Sequence, residues 1–167
     1  MEDMVAAAKA KGYEYLAITD HSKHLAMARG LKERDLAEQI EHIDKLNETL
    51  DGFTVLKGIE CDILEDGSLD LSDSILKELD VVVCSVHYKF NLSRGKQTKR
   101  ILKAMDNRYL NILAHPTGRL INRREPYDID FEVVLKGAKE RGCFVEVNGY
   151  PDRLDLDEIH CRLAKEM

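Results

Sequence analysis

The sequence predicts an α/β fold with mainly parallel strands, either an α/β barrel or an open doubly wound sheet. Three observations predict it. Short aliphatic runs alternate with longer stretches of helical period along the whole chain. The strand candidates are almost continuously apolar, as in Val81-Val82-Val83-Cys84, which is how strands covered on both faces read. Residues able to do chemistry recur directly after the strand candidates, spaced by about 27–39 residues, the length of βα units.

The elements follow in order. Asp3–Ala10 reads as a helix, and Lys11-Gly12 ends it with a cation and a glycine. Tyr15–Thr19 is the first strand. Glu33–Leu50 is the clearest helix, because Leu36, Ile40, Ile43, Leu46 and Leu50 form one apolar stripe; Asp51-Gly52 stops it. Phe53–Glu60 is the second strand. Asp66-Gly67 marks a turn in a small excursion after it. Ser72–Leu79 is a helix, Val81–Val86 a strand, Ser93–Met105 a helix and Asn111–Ala114 a strand. Asp130–Glu140 is a helix closed by Arg141-Gly142, Cys143–Val147 the fifth strand and Asp155–Lys165 the last helix.

Composition bounds the function. At 167 residues the chain is one domain with a sizeable core, and 44% hydrophobic with 34% charged residues is a globular balance. No apolar run approaches the roughly 20 residues of a membrane helix, and the acidic start is unlike a signal peptide. The net charge of -6 argues against a surface that clamps nucleic acid all over, though not against a local basic rim. Cys61, Cys84, Cys143 and Cys161 form no CxxC pair and read as reduced thiols, so a cytoplasmic location is expected. No glycine-rich phosphate loop is present.

The strand ends carry the chemistry. Asp20 and His21 follow the first strand, Glu60 ends the second, and His87, His115 and Asn148 follow the next three. In a parallel sheet these ends converge on one rim, where such folds place their active sites. Three imidazoles and a carboxylate on one rim are ligands for zinc, manganese or iron, and a carboxylate can bridge two ions. Ions about 3.5–4 Å apart can clamp both oxygens of a phosphoryl transfer. Arg119, Arg123 and Arg124, in the loop after His115, are placed to meet an anionic phosphate.

Other candidates have plainer readings. His42 lies off the apolar stripe of its helix, His160 borders a packed face and His24 is an exposed loop residue. The cysteines are core residues; Cys61 points away from the rim if Glu60 points toward it. Arg94, Lys96, Lys99, Arg100 and Lys103 read for the most part as a solvated helix face.

The strings Leu16-Ala17-Ile18-Thr19-Asp20-His21-Ser22, Gly58-Ile59-Glu60-Cys61-Asp62-Ile63-Leu64, Ser85-Val86-His87 and Ala114-His115-Pro116 resemble motifs of the PHP (polymerase and histidinol phosphatase) superfamily. The likeness is closest to the C-terminal PHP module of bacterial and archaeal family-X DNA polymerases. Asp66-Gly67-Ser68-Leu69-Asp70-Leu71, Pro116-Thr117-Gly118-Arg119-Leu120, Arg124-Glu125-Pro126-Tyr127-Asp128 and Pro151-Asp152-Arg153-Leu154-Asp155-Leu156 look like that subgroup. The resemblance covers essentially the whole chain. It implies a distorted seven-stranded (β/α) barrel of the TIM-like type with up to three divalent metal ions, and metal-dependent phosphoester hydrolysis that trims DNA 3′ ends in the polymerase subgroup. It also implies roles. Glu60 would bridge the first two metals, His87 and His115 would complete the second, His21 would bind the third, and Asp20 would orient an imidazole.

The family's opening His-x-His strand and closing Asp-x-His strand are not in residues 1–167, so the chain is expected to be a single incomplete barrel. Two functional classes follow. One is a metal-dependent phosphoesterase, part of a 3′–5′ exonuclease module with polymerase domains in a parent protein, weak or inactive alone. The other is a catalytically silent fragment that binds at most one metal and serves a packing or scaffold role. A histidinol-phosphatase-like enzyme is a third reading. The outer strands Tyr15–Thr19 and Cys143–Val147 would be open sheet edges that invite self-association.

Overall fold

The computed structural model describes residues 1–24 and 29–167. Among the described residues, five strands alternate with six helices in the expected order. They are α1 (Glu2–Ala10), β1 (Tyr15–Ile18), α2 (Glu33–Asn47), β2 (Thr54–Asp62), α3 (Asp73–Leu76) and β3 (Val81–Ser85). α4 (Arg94–Met105), β4 (Ile112–Leu113), α5 (Phe131–Arg141), β5 (Phe144–Val145) and α6 (Glu158–Glu166) complete the chain. The strands form one sheet in the order β1-β2-β3-β4-β5, and every neighbouring pair is parallel. All strand C-termini therefore meet at one rim.

Local chemistry sets the element ends. Gly142 stands at φ 69 as the left-handed cap of α5, where a residue without Cβ carries no steric cost. Asp130 caps the other end of α5 by accepting from the Val133 amide. Several elements differ from the sequence expectation: α2 ends at Asn47 instead of Leu50, and β4 and β5 are shorter than Asn111–Ala114 and Cys143–Val147. β2 runs on to Asp62, because Asp62 still pairs with Ser85 of β3. α3 is a single turn, because the chain must turn at Asp80, whose amide donates to the Lys57 carbonyl, to enter β3. α6 begins only at Glu158, because the residues before it are bonded to the loop after β4 rather than to each other.

The main core lies between the sheet and helices α2, α4 and α5, with Leu36, Ile59, Ile63, Val82, Ile101, Leu113 and Val134 all essentially inaccessible. A second cluster, Val5, Ala8, Ile43, Phe53 and Val55, packs α1 and α2 on β1 and β2. A third joins α5 to Leu156 and α6. β1 and β5 are the sheet edges, and Tyr15 and Phe144 on them are 64% and 72% exposed. Among the described residues no helix is long and apolar enough to cross a membrane.

Candidate metal centre

The site is built by the alternation of β2. Glu60 and Asp62 point to one side of the strand, while Cys61 points to the other, where it is fully buried and paired in register with Cys84. The end of β1 is stitched to Glu60 by two backbone bonds: the Glu60 amide donates to the Asp20 carbonyl at 2.8 Å, and the Ser22 amide donates to the Glu60 carbonyl at 2.9 Å. That pairing sets His21 beside Glu60. His87 follows the end of β3 and His115 the end of β4, so their rings reach the same point.

The two carboxylate oxygens of Glu60 face different imidazoles. Oε1 lies 3.1 Å from His115 Nε2 and 3.3 Å from His87 Nε2; Oε2 lies 3.6 Å from His21 Nδ1. The His87 ring stands 5.0 Å from that of His21 and 5.2 Å from that of His115, centroid to centroid. Burial pushes the Glu60 carboxyl upward, but hydrogen bonds from His115 and His87 and the charges of His115 and His21 outweigh it and hold the group far below the ordinary carboxylate value. At His87 burial favours the neutral ring, yet bonds to Asp62 and Glu60 win and raise it to about 9.

Asp62 is a functional residue that sequence reasoning passed over. Its Oδ1 lies 2.6 Å from His87 Nδ1 and its side chain is 1% exposed. A carboxylate on Nδ1 keeps the proton there and turns Nε2 toward Glu60, the arrangement that readies an imidazole as a ligand. The available signal was the i, i+2 spacing from Glu60. Asp62 is itself held from behind: its amide donates to Ser22 Oγ at 3.0 Å and to buried Asp70 Oδ1 at 3.1 Å, and the Ser22 hydroxyl donates to the same Asp70 oxygen at 2.8 Å.

The donor set fits a divalent cation. His21 Nδ1 is buried without a hydrogen-bond partner and faces Glu60 Oε2 across a gap too long for a hydrogen bond. Two donors sharing a cation through arms of about 2.1 Å stand roughly 3.0–3.4 Å apart, close to the spacings around Glu60. His21, Glu60 and His87 each present a ligand atom within 4.8 Å of the other two. His115 joins this trio through Glu60. Its backbone is held at φ 28, where side-chain-bearing residues are strained by about 1–3 kcal/mol, so surrounding bonds must fix it. One is the His115 amide donating to Glu146 Oε2 at 2.6 Å, a second role absent from the sequence expectations.

Other predicted residues sit differently. Asp20 is exposed, and its carboxylate accepts from Gln39 Nε2 at 2.6 Å; among the described residues it reaches no imidazole. The side chain emerges toward α2, and Asp62 orients a ring instead. Arg119 donates through Nε to the Arg153 carbonyl at 2.7 Å and also to the Leu154 carbonyl. Arg124 donates to the Gly118 carbonyl at 2.7 Å and covers the Phe90 ring. Arg123 is 70% exposed, 3.5 Å from Asp152. Arg100 departs from the solvated-face expectation: it is 2% exposed and donates to the carbonyls of Ile63, Leu64 and Tyr88. His42 is exposed beside Glu2, His24 is exposed, and His160 packs edge-on against Phe131.

The sequence profile of the PHP domain matches residues 1–148. This chain belongs to the PHP family. It is 43% identical over 166 residues to the DNA polymerase/3′-5′ exonuclease PolX of Bacillus subtilis, covering 99% of this chain and 29% of that protein. It is 35% identical over 142 residues to a "Probable phosphatase" of Thermoanaerobacter sp., and 29% identical over 153 residues to another of Acetivibrio thermocellus. It covers 53% and 58% of those two proteins, so the chain spans between about a third and somewhat over half the length of these relatives. The parallel sheet alternating with helices is that of an incomplete PHP barrel, and the imidazole-carboxylate cluster lies on its C-terminal rim.

Proposed function

We propose that this PHP chain is a divalent-metal phosphoesterase module, and that its substrate is the 3′ end of DNA, as part of a family-X polymerase. The observation that carries the reading is Glu60, whose two oxygens face separate imidazoles and can serve two neighbouring cations. His87 and His115 would share the Oε1 side and His21 the Oε2 side. Bound zinc, manganese or iron would supply Lewis-acid polarisation of the phosphoryl group and an activated water. The chain's own residues prepare that chemistry. Glu60 stays ionised, and Asp62 fixes the proton of His87 on Nδ1. Arg123, with its exposed guanidinium, is the most accessible of the three arginines assigned to substrate phosphate; Arg119 and Arg124 shape the loop that carries it.

The identity to PolX over nearly the whole chain favours DNA over a small phosphomonoester such as histidinol phosphate. The described donors amount to one carboxylate and three imidazoles, fewer than three cations need, so slow turnover is expected. The test is manganese-dependent nucleotide release from a single-stranded oligonucleotide, run beside hydrolysis of histidinol phosphate. Glu60→Ala, His87→Ala and His115→Ala should each lower it by about 100-fold or more. Unchanged release in these variants, or preference for the small ester, would overturn the reading.

A further inference from the structure

The loop after β4 and the loop after β5 are zipped together, and one buried carboxylate stands at the centre of the zip. Asp155 is fully buried. The Thr117 amide donates to its Oδ1 and Oδ2 at 3.2 and 3.1 Å, and the Gly118 amide donates to Oδ2 at 2.9 Å. Around it the loops exchange arginines. Arg119 donates to the carbonyls of Arg153 and Leu154 and pairs with Asp157 at 3.5 Å; Arg153 Nη1 donates to the Arg119 carbonyl at 3.4 Å. The Ile121 amide donates to the Asp152 carbonyl at 2.7 Å.

The loop so held begins at His115, whose own carbonyl accepts from the Gly118 amide at 2.9 Å. His115 stands at φ 28, a backbone state it would leave if released. The family profile ends at residue 148, before the 149–157 arm of the zip, whereas the PolX match continues through it. The strings Pro116-Thr117-Gly118-Arg119 and Pro151-Asp152-Arg153-Leu154-Asp155 are thus the two halves of one structure.

We infer that Asp155 is a positioning residue of the metal centre: through the Thr117 and Gly118 amides it locks the loop that holds His115 Nε2 against Glu60. The inference rests on the metal reading only for its consequence, since the lock itself is a property of the metal-free chain. Asp155→Asn, which keeps the volume and one acceptor oxygen, and Asp155→Ala test it in the 167-residue protein, with Val5→Ala in the remote cluster as a control for general destabilisation.

Amide hydrogen exchange on metal-free protein should show lost protection at His115, Thr117 and Gly118 in both Asp155 variants, but not in Val5→Ala. Manganese titration followed by electron paramagnetic resonance should show affinity lowered about tenfold or more by Asp155→Ala, less by Asp155→Asn, and unchanged by Val5→Ala. Unchanged protection overturns the lock. Lost protection with unchanged manganese affinity overturns the positioning role. If the parent chain takes up no manganese at all, the metal reading fails, and the exchange data alone decide whether Asp155 locks the loop.

Discussion

At the scale of the residue, the site is a proton store that a cation would replace. His87 stands at about 9 against an ordinary value of 6.5, held by Asp62 and Glu60. A raised folded-state value means that the proton stabilises the fold. This contribution is complete below about pH 6.5 and is lost as pH rises through 9. Glu60 has the opposite sign: its depressed value gives stability that is present above its ordinary 4.5 and is lost only in strong acid. Metal-free protein should therefore melt at progressively lower temperature between pH 6.5 and 9, and added manganese should remove most of that fall by replacing the proton. Asp62→Asn should flatten the metal-free profile and weaken manganese binding by about 10–100-fold, read by thermal melts across pH and by titration. Glu60, His87 and His115 were legible in the sequence because each stands at the C-terminal end of an apolar strand candidate. Asp62 and Glu146 were not: beyond the i, i+2 spacing of Asp62 from Glu60, nothing local marks a carboxylate that meets the His87 ring or the His115 amide only in the folded chain.

At the scale of the element, β2 is the strand on which the site depends, and at Gly58 it has no room for a Cβ. Gly58 lies between β1 and β3, where a Cβ would stand 2.7 Å from the Ile18 carbonyl oxygen and 3.2 Å from that of Val81. Both obstacles are backbone, so neither can swing aside. Gly58→Ala should cost about 1–3 kcal/mol in urea unfolding and lower metal affinity with it, because His21 follows the end of β1 and β2 carries Glu60. The ends of α1 and α5 were readable from Lys11-Gly12 and Arg141-Gly142, where short-range chemistry decides, whereas α2 stops at Asn47, short of Asp51-Gly52. Arg100 was not. Its helix has a basic face, and only the excursion of residues 63–69 over that helix turns one of those cations inward onto carbonyl oxygens.

At the scale of the whole molecule, the order of strands leaves two open edges, β1 and β5, with Tyr15, Phe144 and Val147 each more than 60% exposed. Unpaired strand edges recruit other strands. The purified chain should self-associate with rising concentration in sedimentation velocity, and Phe144→Lys should shift it toward monomer; a concentration-independent monomer would refute this. The sequence by itself determined the alternation of strands and helices, the parallel sheet and the residues at its rim. Apolar period, caps and strand-end position are all written within a few residues of one another. Only the tertiary structure decided which carboxylate orients His87, which arginines are spent on carbonyl oxygens, and that a buried aspartate from one loop secures another. The contacts of Asp62 with His87, Arg100 with Leu64 and Asp155 with Thr117 join positions 25 to 38 residues apart, where partners are chosen by the packing of the sheet and not by any local pattern.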